Sequence, residues 1–228
     1  MEPIRAVIAS GGTSSRMGGI NKLLAILDGI PVIVRTVKAF HNLEYIEQII
    51  LVIPKDSESV YSSLLSQYRI EAKVKYAYSG INRRQSVYNG LMSLDDQDGI
   101  VLIHDGARPL ISKKIIDECI EGAKRYGVCL AASKNTDTIK MADNIMFVEK
   151  TLEREKIYNA QTPQAFKTEF AIELHNKARM DNLEVTDDCM IAEHYGYNVK
   201  IIESDPSNIK ITTKRDLIFA QAILADCD

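Results

Sequence analysis

The sequence predicts an α/β protein, built as a Rossmann-like three-layer α/β/α domain with a mostly parallel sheet and a protruding β-hairpin arm. Three observations lead to this fold class. Short apolar runs alternate with segments of helical apolar spacing, polar loops directly follow two of the apolar runs, and one later stretch switches to a two-residue alternation. Strands that are joined by helical crossovers lie parallel, and the crossovers cover both faces of the sheet.

The strand and helix signals repeat along most of the chain. Pro31 is well placed as the first residue of a helix, because its missing N–H costs nothing there. Polar loops begin at Ser10 and His104, each after an apolar run, so both should lie at the carboxyl edge of the sheet. We predict strands at residues 5–9, 46–53, 73–78, 100–103, 128–132 and 199–203, and helices at residues 32–40, 57–68, 84–94, 112–126, 167–180, 187–194 and from 213 onward.

Residues 136–158 interrupt this alternation. Two short stretches with strand-like apolar spacing flank a polar Asp143-Asn144 pair, which is the pattern of a β-hairpin. We expect the hairpin to form an arm on a single domain that spans residues 1–228. The apolar side chains of the arm need a cover, and a second copy of the arm would supply one, so we expect a homodimer.

Composition argues against several classes of protein. The formal net charge is −3 and no block of Lys or Arg is present, so we expect no nucleic-acid partner, whereas a nucleotide needs only a few local cations. No apolar run reaches the roughly 18 residues of a membrane span, and the N-terminus shows no signal-peptide pattern. The four cysteines have no metal-ligand spacing. We therefore expect reduced cysteines in a cytoplasmic protein without a membrane partner.

The loop from Ser10 to Met17 reads SGGTSSRM and is typical of phosphate binding. Its adjacent glycines let backbone N–H groups approach a polyanion, and Arg16 and Lys22 supply cations nearby. The loop lacks the G-K-[ST] ending of a P-loop and the G-x-G-x-x-G spacing of a dinucleotide fold. It resembles the signature of sugar-nucleotide pyrophosphorylases. By itself, however, it is as similar to a molybdenum-cofactor guanylyltransferase as to a cytidylyltransferase, so the loop leaves the base open.

Five further segments, in order along the chain, narrow the choice. They are GINRRQSV at 80–87, HDGARP at 104–109, DTIK at 137–140, QTPQ at 161–164 and NIKIT at 208–212. Together with the loop, they resemble the 2-C-methyl-D-erythritol 4-phosphate cytidylyltransferase family over nearly the whole chain. The resemblance implies a fold of the nucleotide-diphospho-sugar transferase type. Ribitol-5-phosphate cytidylyltransferases share the pattern, but residues 106–107 and 186–188 are more similar to the methylerythritol family.

The resemblance implies a CTP-dependent nucleotidyltransferase of isoprenoid-precursor biosynthesis. A phosphate oxygen of 2-C-methyl-D-erythritol 4-phosphate would attack the α-phosphorus of CTP and release pyrophosphate. Such a reaction needs cations that align two polyanions and stabilise the charge that builds up during transfer. The catalytic residues that the resemblance implies are Arg16, Lys22, Arg154 and Lys210.

The resemblance also implies binding roles. The nucleotide-binding residues would be Ser10, Gly11, Gly12, Thr13, Ser14, Gly80, Ser86, Asp105 and Gly106, and the acceptor-binding residues Arg108, Thr138, Thr162 and Thr186. Without a metal, Asp105 would repel the α-phosphate, so we expect it to bind Mg²⁺. Arg154 would reach from the arm into the site of the second subunit. Ile209 and Ile211 fit a strand that turns Lys210 in the opposite direction, into the site.

Two features invite other interpretations. His104 beside Asp105 suggests a general base, but a phosphate monoester is already ionised near neutral pH, so we expect the imidazole to support the loop instead. Ser14 stands where a second loop glycine is usual, and the stretch from Arg16 to Lys22 is one residue shorter than expected. Three alternatives stay open. A ribitol-5-phosphate cytidylyltransferase shares the motif pattern, a molybdenum-cofactor guanylyltransferase shares the loop, and the altered loop would also fit a catalytically weak, nucleotide-binding regulatory protein.

Overall fold

The structure, a computed structural model, describes residues 2–12 and 21–226, so Thr13, Ser14 and Arg16 lie outside the described residues. Its strands are β1 (Ile4–Ala9), β2 (Ile26–Leu27), β3 (Ile30–Pro31), β4 (Ile46–Ile53), β5 (Val74–Tyr78), β6 (Ile100–Asp105), β7 (Val128–Lys134), β8 (Lys140–Ala142), β9 (Val148–Thr151), β10 (Tyr158–Lys167) and β11 (Lys200–Glu203). Its helices are α1 (Val32–His41), α2 (Glu58–Gln67), α3 (Arg83–Leu91), α4 (Lys113–Tyr126), α5 (Thr168–Met180), α6 (Cys189–His194) and α7 (Lys214–Ala225). In these ranges, none of the helices has the length and apolarity that a membrane crossing requires.

Seven of the described strands form one mostly parallel sheet in the order β11-β7-β10-β6-β1-β4-β5. Among them, only β10 runs antiparallel to its neighbours, β6 and β7. The chain builds outward from β1 to β4 and β5, and then returns to place β6 on the other side of β1. Such a reversal opens a crevice at the carboxyl ends of parallel strands. The register places Ala9 beside Asp105 at this crevice.

Alternate side chains of the central strands face two separate cores. Ala6 and Ile8 of β1 pack in a core with residues of α1, α2 and α4, whereas Val7 packs in a second core with residues of α3, α5 and α6. Successive strand residues point to opposite faces, so a sheet that is apolar on both sides needs helices on both. The predicted three-layer α/β/α arrangement is confirmed.

The hairpin expected within residues 136–158 is present. β8 and β9 pair antiparallel as a two-stranded sheet of their own. Asp143 closes the turn, since its Oδ1 accepts hydrogen bonds from the backbone N–H groups of Ile145 and Phe147 at 3.0 and 2.8 Å. The tip is apolar and open to solvent: Ile145, Met146 and Phe147 are 73%, 83% and 70% exposed. The arm thus presents an uncovered apolar surface.

Three of the differences from the sequence-based expectations concern the central sheet and the segments beside it. Residues 158–167 form strand β10, which was missed because two glutamines and Pro163 break the apolar strand pattern. The strand expected at residues 100–103 continues through Asp105, so His104 and Asp105 belong to the strand rather than to the loop. The strand expected around Lys210 is wrong: this segment is irregular and meets the loop after β6 through a hydrogen bond from Ile211 N–H to the Ala107 carbonyl, at 2.8 Å.

Gly99 offers a test of how β1 and β6 are held together. It has a φ of +75°, and a Cβ there would lie 2.0 Å from the Pro3 carbonyl oxygen. Gly127 has a similar φ of +83° but open space around it, so it is a matched control. Gly127→Ala should cost about 1–2 kcal/mol of unfolding free energy through backbone strain alone. Gly99→Ala should cost clearly more, because the start of β6 must also move away from β1. Urea unfolding measures both, and equal losses would contradict a close contact between Pro3 and Gly99.

Candidate active site

The described part of the phosphate loop, residues 10–12, and the end of β6 lie close together, and a glycine stands at each of two close contacts. A Cβ on Gly11 would lie 2.3 Å from the Ser79 Cβ, and a Cβ on Gly106 would lie 2.2 Å from the Ser10 Oγ. The contact at Gly11 could be relieved only by moving the backbone, because a Cβ atom cannot rotate away. At Gly106 the Ser10 hydroxyl would have to rotate, and Ile33 Cδ1 at 3.0 Å and the Ala9 carbonyl oxygen at 3.2 Å leave little further room. These glycines therefore allow the loop, Ser79 and the residues after Asp105 to meet at one point.

The predicted nucleotide-binding residues line a pocket of about 330 Å³ at the crevice, which we call the first pocket. Those of the predicted site residues that line it are Ser10, Gly11, Gly12, Lys22, Gly80, Ser86, Asp105 and Lys210. Gly106 is not among its lining residues and packs directly against Ser10, and its contact with the nucleotide stays a prediction. The buried Ser10 Oγ has no hydrogen-bond partner within the described residues, and a ligand in this pocket would satisfy it.

The predicted acceptor residues border a second pocket of about 230 Å³. Arg108, Thr162 and Thr186 line it. In the described part of the chain, three residues line both pockets: Arg83, Asp105 and Lys210. The two pockets therefore share a wall that carries both positive and negative charge.

Asp105 is the centre of this shared wall. Its carboxylate lies 2.7 Å from Lys210 Nζ, 3.4 Å from Arg83 Nε and 3.8 Å from Arg108 Nε. Burial alone would raise the pKa of Asp105, but the charges of Arg83, Lys210 and Arg108 outweigh burial and hold the pKa well below its usual range. Asp105 therefore stays ionised at neutral pH, and it holds three cations together where a polyanion could bind.

Arg83 is a site residue that the sequence analysis missed. It opens α3, and its Nη1 lies 2.7 Å from the Oδ2 of the buried Asp188, on the side away from Asp105. Segment 80–87 contains Arg83, but the sequence pattern does not separate it from the neighbouring Arg84. The helix dipole opposes a cation in the first turn of α3, but this argument applies equally to Arg84, so no signal in the sequence selects Arg83.

Ser86 shapes the loop that borders the first pocket. Its hydroxyl donates to the Asn82 carbonyl at 2.8 Å and accepts from Gly80 N–H at 3.0 Å. Asn82 in turn caps α3 by accepting from Gln85 N–H at 2.8 Å. Because Gly80 N–H already donates a hydrogen bond to Ser86, a base in this pocket would form hydrogen bonds with other backbone groups of the loop. Ser86 therefore holds the conformation of this loop, and it also lines the first pocket.

His104 is fully buried within a hydrogen-bonded network. Its Nε2 lies 3.1 Å from the Arg108 carbonyl, which can only accept, so Nε2 carries the proton. Nδ1 then accepts from the Thr162 hydroxyl at 2.9 Å, and the same hydroxyl accepts from Asp105 N–H at 3.1 Å. Burial holds the pKa of His104 at about 4. The neutral imidazole supports the site, as expected, and Thr162 gains a positioning role beside its predicted acceptor contact.

Two predicted acceptor and catalytic residues lie on the arm, away from both pockets of their own chain. Thr138 is exposed. The Arg154 side chain is 54% exposed, with Nη1 3.5 Å from the Thr136 carbonyl and Nη2 3.9 Å from Glu155. This position suits a residue that serves another subunit, and that role stays a prediction.

The acidic residues of the site limit how a metal ion could bind. Within residues 2–12 and 21–226, no group of three or more His, Cys, Asp and Glu side chains is arranged to hold a metal ion. A Mg²⁺ ion at Asp105 would therefore take most of its oxygen ligands from substrate phosphates and water. This is the usual arrangement for Mg²⁺ in phosphoryl-transfer sites.

Comparisons with known proteins agree over nearly the full chain. The model of the family described as 2-C-methyl-D-erythritol 4-phosphate cytidylyltransferase (IspD) matches residues 4–226. The enzyme of this name from Geobacillus thermodenitrificans is 42% identical over 221 residues, covering 96% of each chain. That from Alkaliphilus oremlandii is 41% identical over 220 residues, covering 96% of this chain and 93% of the other. The crystal structure of 4-diphosphocytidyl-2C-methyl-D-erythritol synthase from Anaerococcus prevotii has a TM-score of 0.89 and 34% identity, and the match covers 98% of this chain and 96% of that one.

The buried His104 predicts a pH dependence of stability. The pKa of His104 is about 4 in the folded protein and near the ordinary 6.5 in the unfolded chain. As the pH falls between these values, only the unfolded chain takes up the proton, so the free energy of unfolding should fall by about 3 kcal/mol. His104→Gln should flatten this part of the profile, whereas His194→Gln, at an exposed position, should not. Urea unfolding between about pH 7 and pH 4 measures the slopes; equal slopes in wild type and His104→Gln would contradict a buried neutral imidazole.

Proposed function

This chain belongs to the 2-C-methyl-D-erythritol 4-phosphate cytidylyltransferase family, and from that premise we propose how its residues bind both substrates and promote the transfer. The chain is a CTP-dependent nucleotidyltransferase of the methylerythritol phosphate pathway to isoprenoids. It transfers a cytidylyl group from CTP to 2-C-methyl-D-erythritol 4-phosphate. The products are 4-diphosphocytidyl-2-C-methyl-D-erythritol and pyrophosphate.

The wall shared by the two pockets is the observation that carries the proposed arrangement. We assign CTP to the first pocket, which contains the glycine loop, and the acceptor to the second pocket, which contains Arg108 and Thr186. The α-phosphorus of CTP would then lie beside Asp105 and Lys210, within reach of the acceptor phosphate. Holding both reactants at one wall removes much of the entropic cost of bringing them together.

The transfer itself requires little covalent work from the protein. An oxygen of the acceptor phosphate forms a bond to the α-phosphorus, the bond from the α-phosphorus to the bridging oxygen breaks, and pyrophosphate leaves with that electron pair. The acceptor phosphate is already ionised, so no side chain has to remove a proton. We propose that Arg16 and Lys22 bind the triphosphate, while Lys210 and Arg108 hold the acceptor phosphate in line. These cations offset the repulsion between two polyanions.

We propose that Asp105 also binds Mg²⁺ together with the triphosphate. The depressed pKa of Asp105 keeps its carboxylate ionised, as an oxygen ligand for a hard cation must be. When bound, the metal would neutralise charge on the phosphate oxygens. Asp105 would be the main protein ligand, which is consistent with the sparse acidic surroundings of the described site.

We further propose that the arm forms a homodimer that completes each active site. The exposed apolar tip, Ile145 to Phe147, supports an arm that packs against a second copy. Thr138 and Arg154 lie on the same arm and do not line the pockets of their own chain. Both observations support a site to which Thr138 and Arg154 come from the neighbouring subunit.

The cysteines support a reducing cytoplasmic location, which we also propose. Cys119, Cys129 and Cys189 are buried free thiols. Cys129 Sγ contacts the Cys119 carbonyl at 3.1 Å, so these thiols belong to the packed core. Core thiols that stay reduced are typical of the cytoplasm.

Pyrophosphate release tests the assignment of both substrates. With CTP, Mg²⁺ and 2-C-methyl-D-erythritol 4-phosphate, the purified enzyme should turn over, and ribitol 5-phosphate or GTP should support much slower release. EDTA should stop the reaction, and excess Mg²⁺ should restore it.

Lys210→Met should lower kcat roughly 100-fold or more, the scale for losing one preorganised contact at the transition state. Lys200→Met, on the exposed strand β11, is the matched control and should leave kcat unchanged.

Each contrary outcome of that assay has a distinct meaning. Faster release with ribitol 5-phosphate would reassign the acceptor. CTP binding without turnover on either acceptor would favour the regulatory alternative. Normal activity of Lys210→Met would show that Lys210 lines the pockets without contributing to the transfer.

Subunit complementation tests the role of the arm. Arg154→Ala and Lys210→Ala homodimers should each be nearly inactive. In a heterodimer of the two variants, one site keeps its own Lys210 and receives Arg154 from the other subunit, so this heterodimer should have half the wild-type activity. Two different affinity tags allow its purification after co-expression. Lys156→Ala, in the same exposed turn as Arg154, is the control and should remain active. An inactive heterodimer would show that Arg154 does not act across the interface.

A further inference from the structure

Arg83 is the member of the shared wall to which neither the sequence nor the proposed function gives a role. It lines both pockets, as Asp105 and Lys210 do. Its side chain is 26% exposed, so most of it is buried although the residue lines both pockets. An Arg at this junction is within the region where the transferring phosphate must lie in the proposed arrangement.

The buried part of Arg83 is anchored by Asp188. The Asp188 side chain is fully buried, and its Oδ2 lies 2.7 Å from Arg83 Nη1. Its other oxygen lies 3.5 Å from Nε2 of the buried His175. The backbone N–H groups of Asp188 and Cys189 donate to Gln164 Oε1 at 2.8 and 3.0 Å, so the start of α6 is fixed against β10. Asp188 therefore cannot follow Arg83 if the guanidinium moves.

The charges of this group make the anchor strong. Burial would raise the pKa of Asp188, but Arg83 and His175 outweigh burial and lower it. An ionised carboxylate without access to water is very unfavourable unless a cation stays beside it. Asp188 thus holds one end of the guanidinium, while the Nε side remains near Asp105 at the longer distance of 3.4 Å.

A stabilising role alone does not explain this pair. Buried ion pairs contribute little net stability compared with apolar residues of similar volume. Arg83 also stands in the first turn of α3, where the helix dipole opposes a cation. A planar guanidinium that is fixed at one end, however, presents its remaining donors to a phosphate at little entropic cost.

We propose that Arg83 is a further catalytic residue that contacts the transferring phosphate at the shared wall, and that Asp188 is the positioning residue that fixes its guanidinium there. This inference rests on the proposed function, because it takes the two pockets to be the CTP and acceptor sites. Arg83 stabilises the charge that builds up on the transferring phosphate, and Asp188 acts only through Arg83. His175 supports Asp188 from the opposite side.

Steady-state kinetics on the full-length enzyme with CTP, Mg²⁺ and 2-C-methyl-D-erythritol 4-phosphate test the proposal. Arg83→Gln should lower kcat roughly 100-fold or more, with a much smaller change in either KM, because the lost contact belongs to the transition state. Arg83→Lys keeps a cation beside Asp188 and so protects folding, but it should restore only a small part of kcat, since an ammonium cannot span both partners. Arg84→Gln, one position along the same helix and outside both pockets, is the matched control and should have normal kinetics.

The double variant separates positioning from a general structural effect. Asp188→Asn should lower kcat, and Arg83→Gln combined with Asp188→Asn should be no slower than Arg83→Gln alone, because Asp188 acts through Arg83. Additive losses in kcat would overturn the positioning role. Normal kcat in both Arg83→Gln and Arg83→Lys, with an active wild type, would overturn the catalytic role and leave the proposed function intact. An inactive wild type would instead refute the proposed function, and this inference with it.

Discussion

Parallel pairing between β1 and β6 sets the geometry on which the rest of the site depends. Its register brings Ala9 beside Asp105, so the phosphate loop and the key carboxylate emerge at the same point of the sheet. Both strands are buried on both faces, and this leaves little freedom for either end to shift. Gly11 fits this close approach because a Cβ there would lie 2.3 Å from the Ser79 Cβ, and Gly106 packs directly against Ser10. The crevice is thus fixed by the core beneath it, before any substrate arrives.

The carboxylates of the crevice offset the repulsion between its clustered cations. A wall that binds two polyanions needs several cations close together, and in an empty site these cations repel each other. Burial lowers the pKa of Arg108; Asp105 opposes this effect, and Arg83 adds to it. Asp105 and Asp188 relieve the repulsion, each beside Arg83. The cations are therefore held in position in the folded protein, so that little reorganisation is needed when phosphates bind.

The arm lacks the buried core that stabilises the rest of the chain. Among the strands that the structure describes, its two strands pair only with each other, and its tip is apolar yet exposed. An isolated two-stranded hairpin is marginally stable in water, so a partner surface would stabilise as well as cover it. The site residues on the arm, Thr138 and Arg154, gain a defined position only through such a partner. In the proposed dimer, assembly and completion of the active site are one event.

The sequence by itself determined the layer architecture and the hairpin, because apolar periodicity is a local signal. The resemblance of its ordered motifs to a known family, rather than periodicity, implied many of the pocket residues. The sequence could not determine β10, whose polar residues hide a strand that only its neighbours β6 and β7 make favourable. It could not single out Arg83, because Asp105 and Asp188 are 22 and 105 residues away along the chain and become its partners only after folding. It also could not show that Gly106 packs against Ser10, or that the Ser86 hydroxyl is hydrogen-bonded to the loop that borders the first pocket. The sequence shows which residue types are available for the chemistry. The tertiary structure alone decides which charges lie together and which polar groups are already hydrogen-bonded within the protein, because those contacts join segments that are distant in the chain.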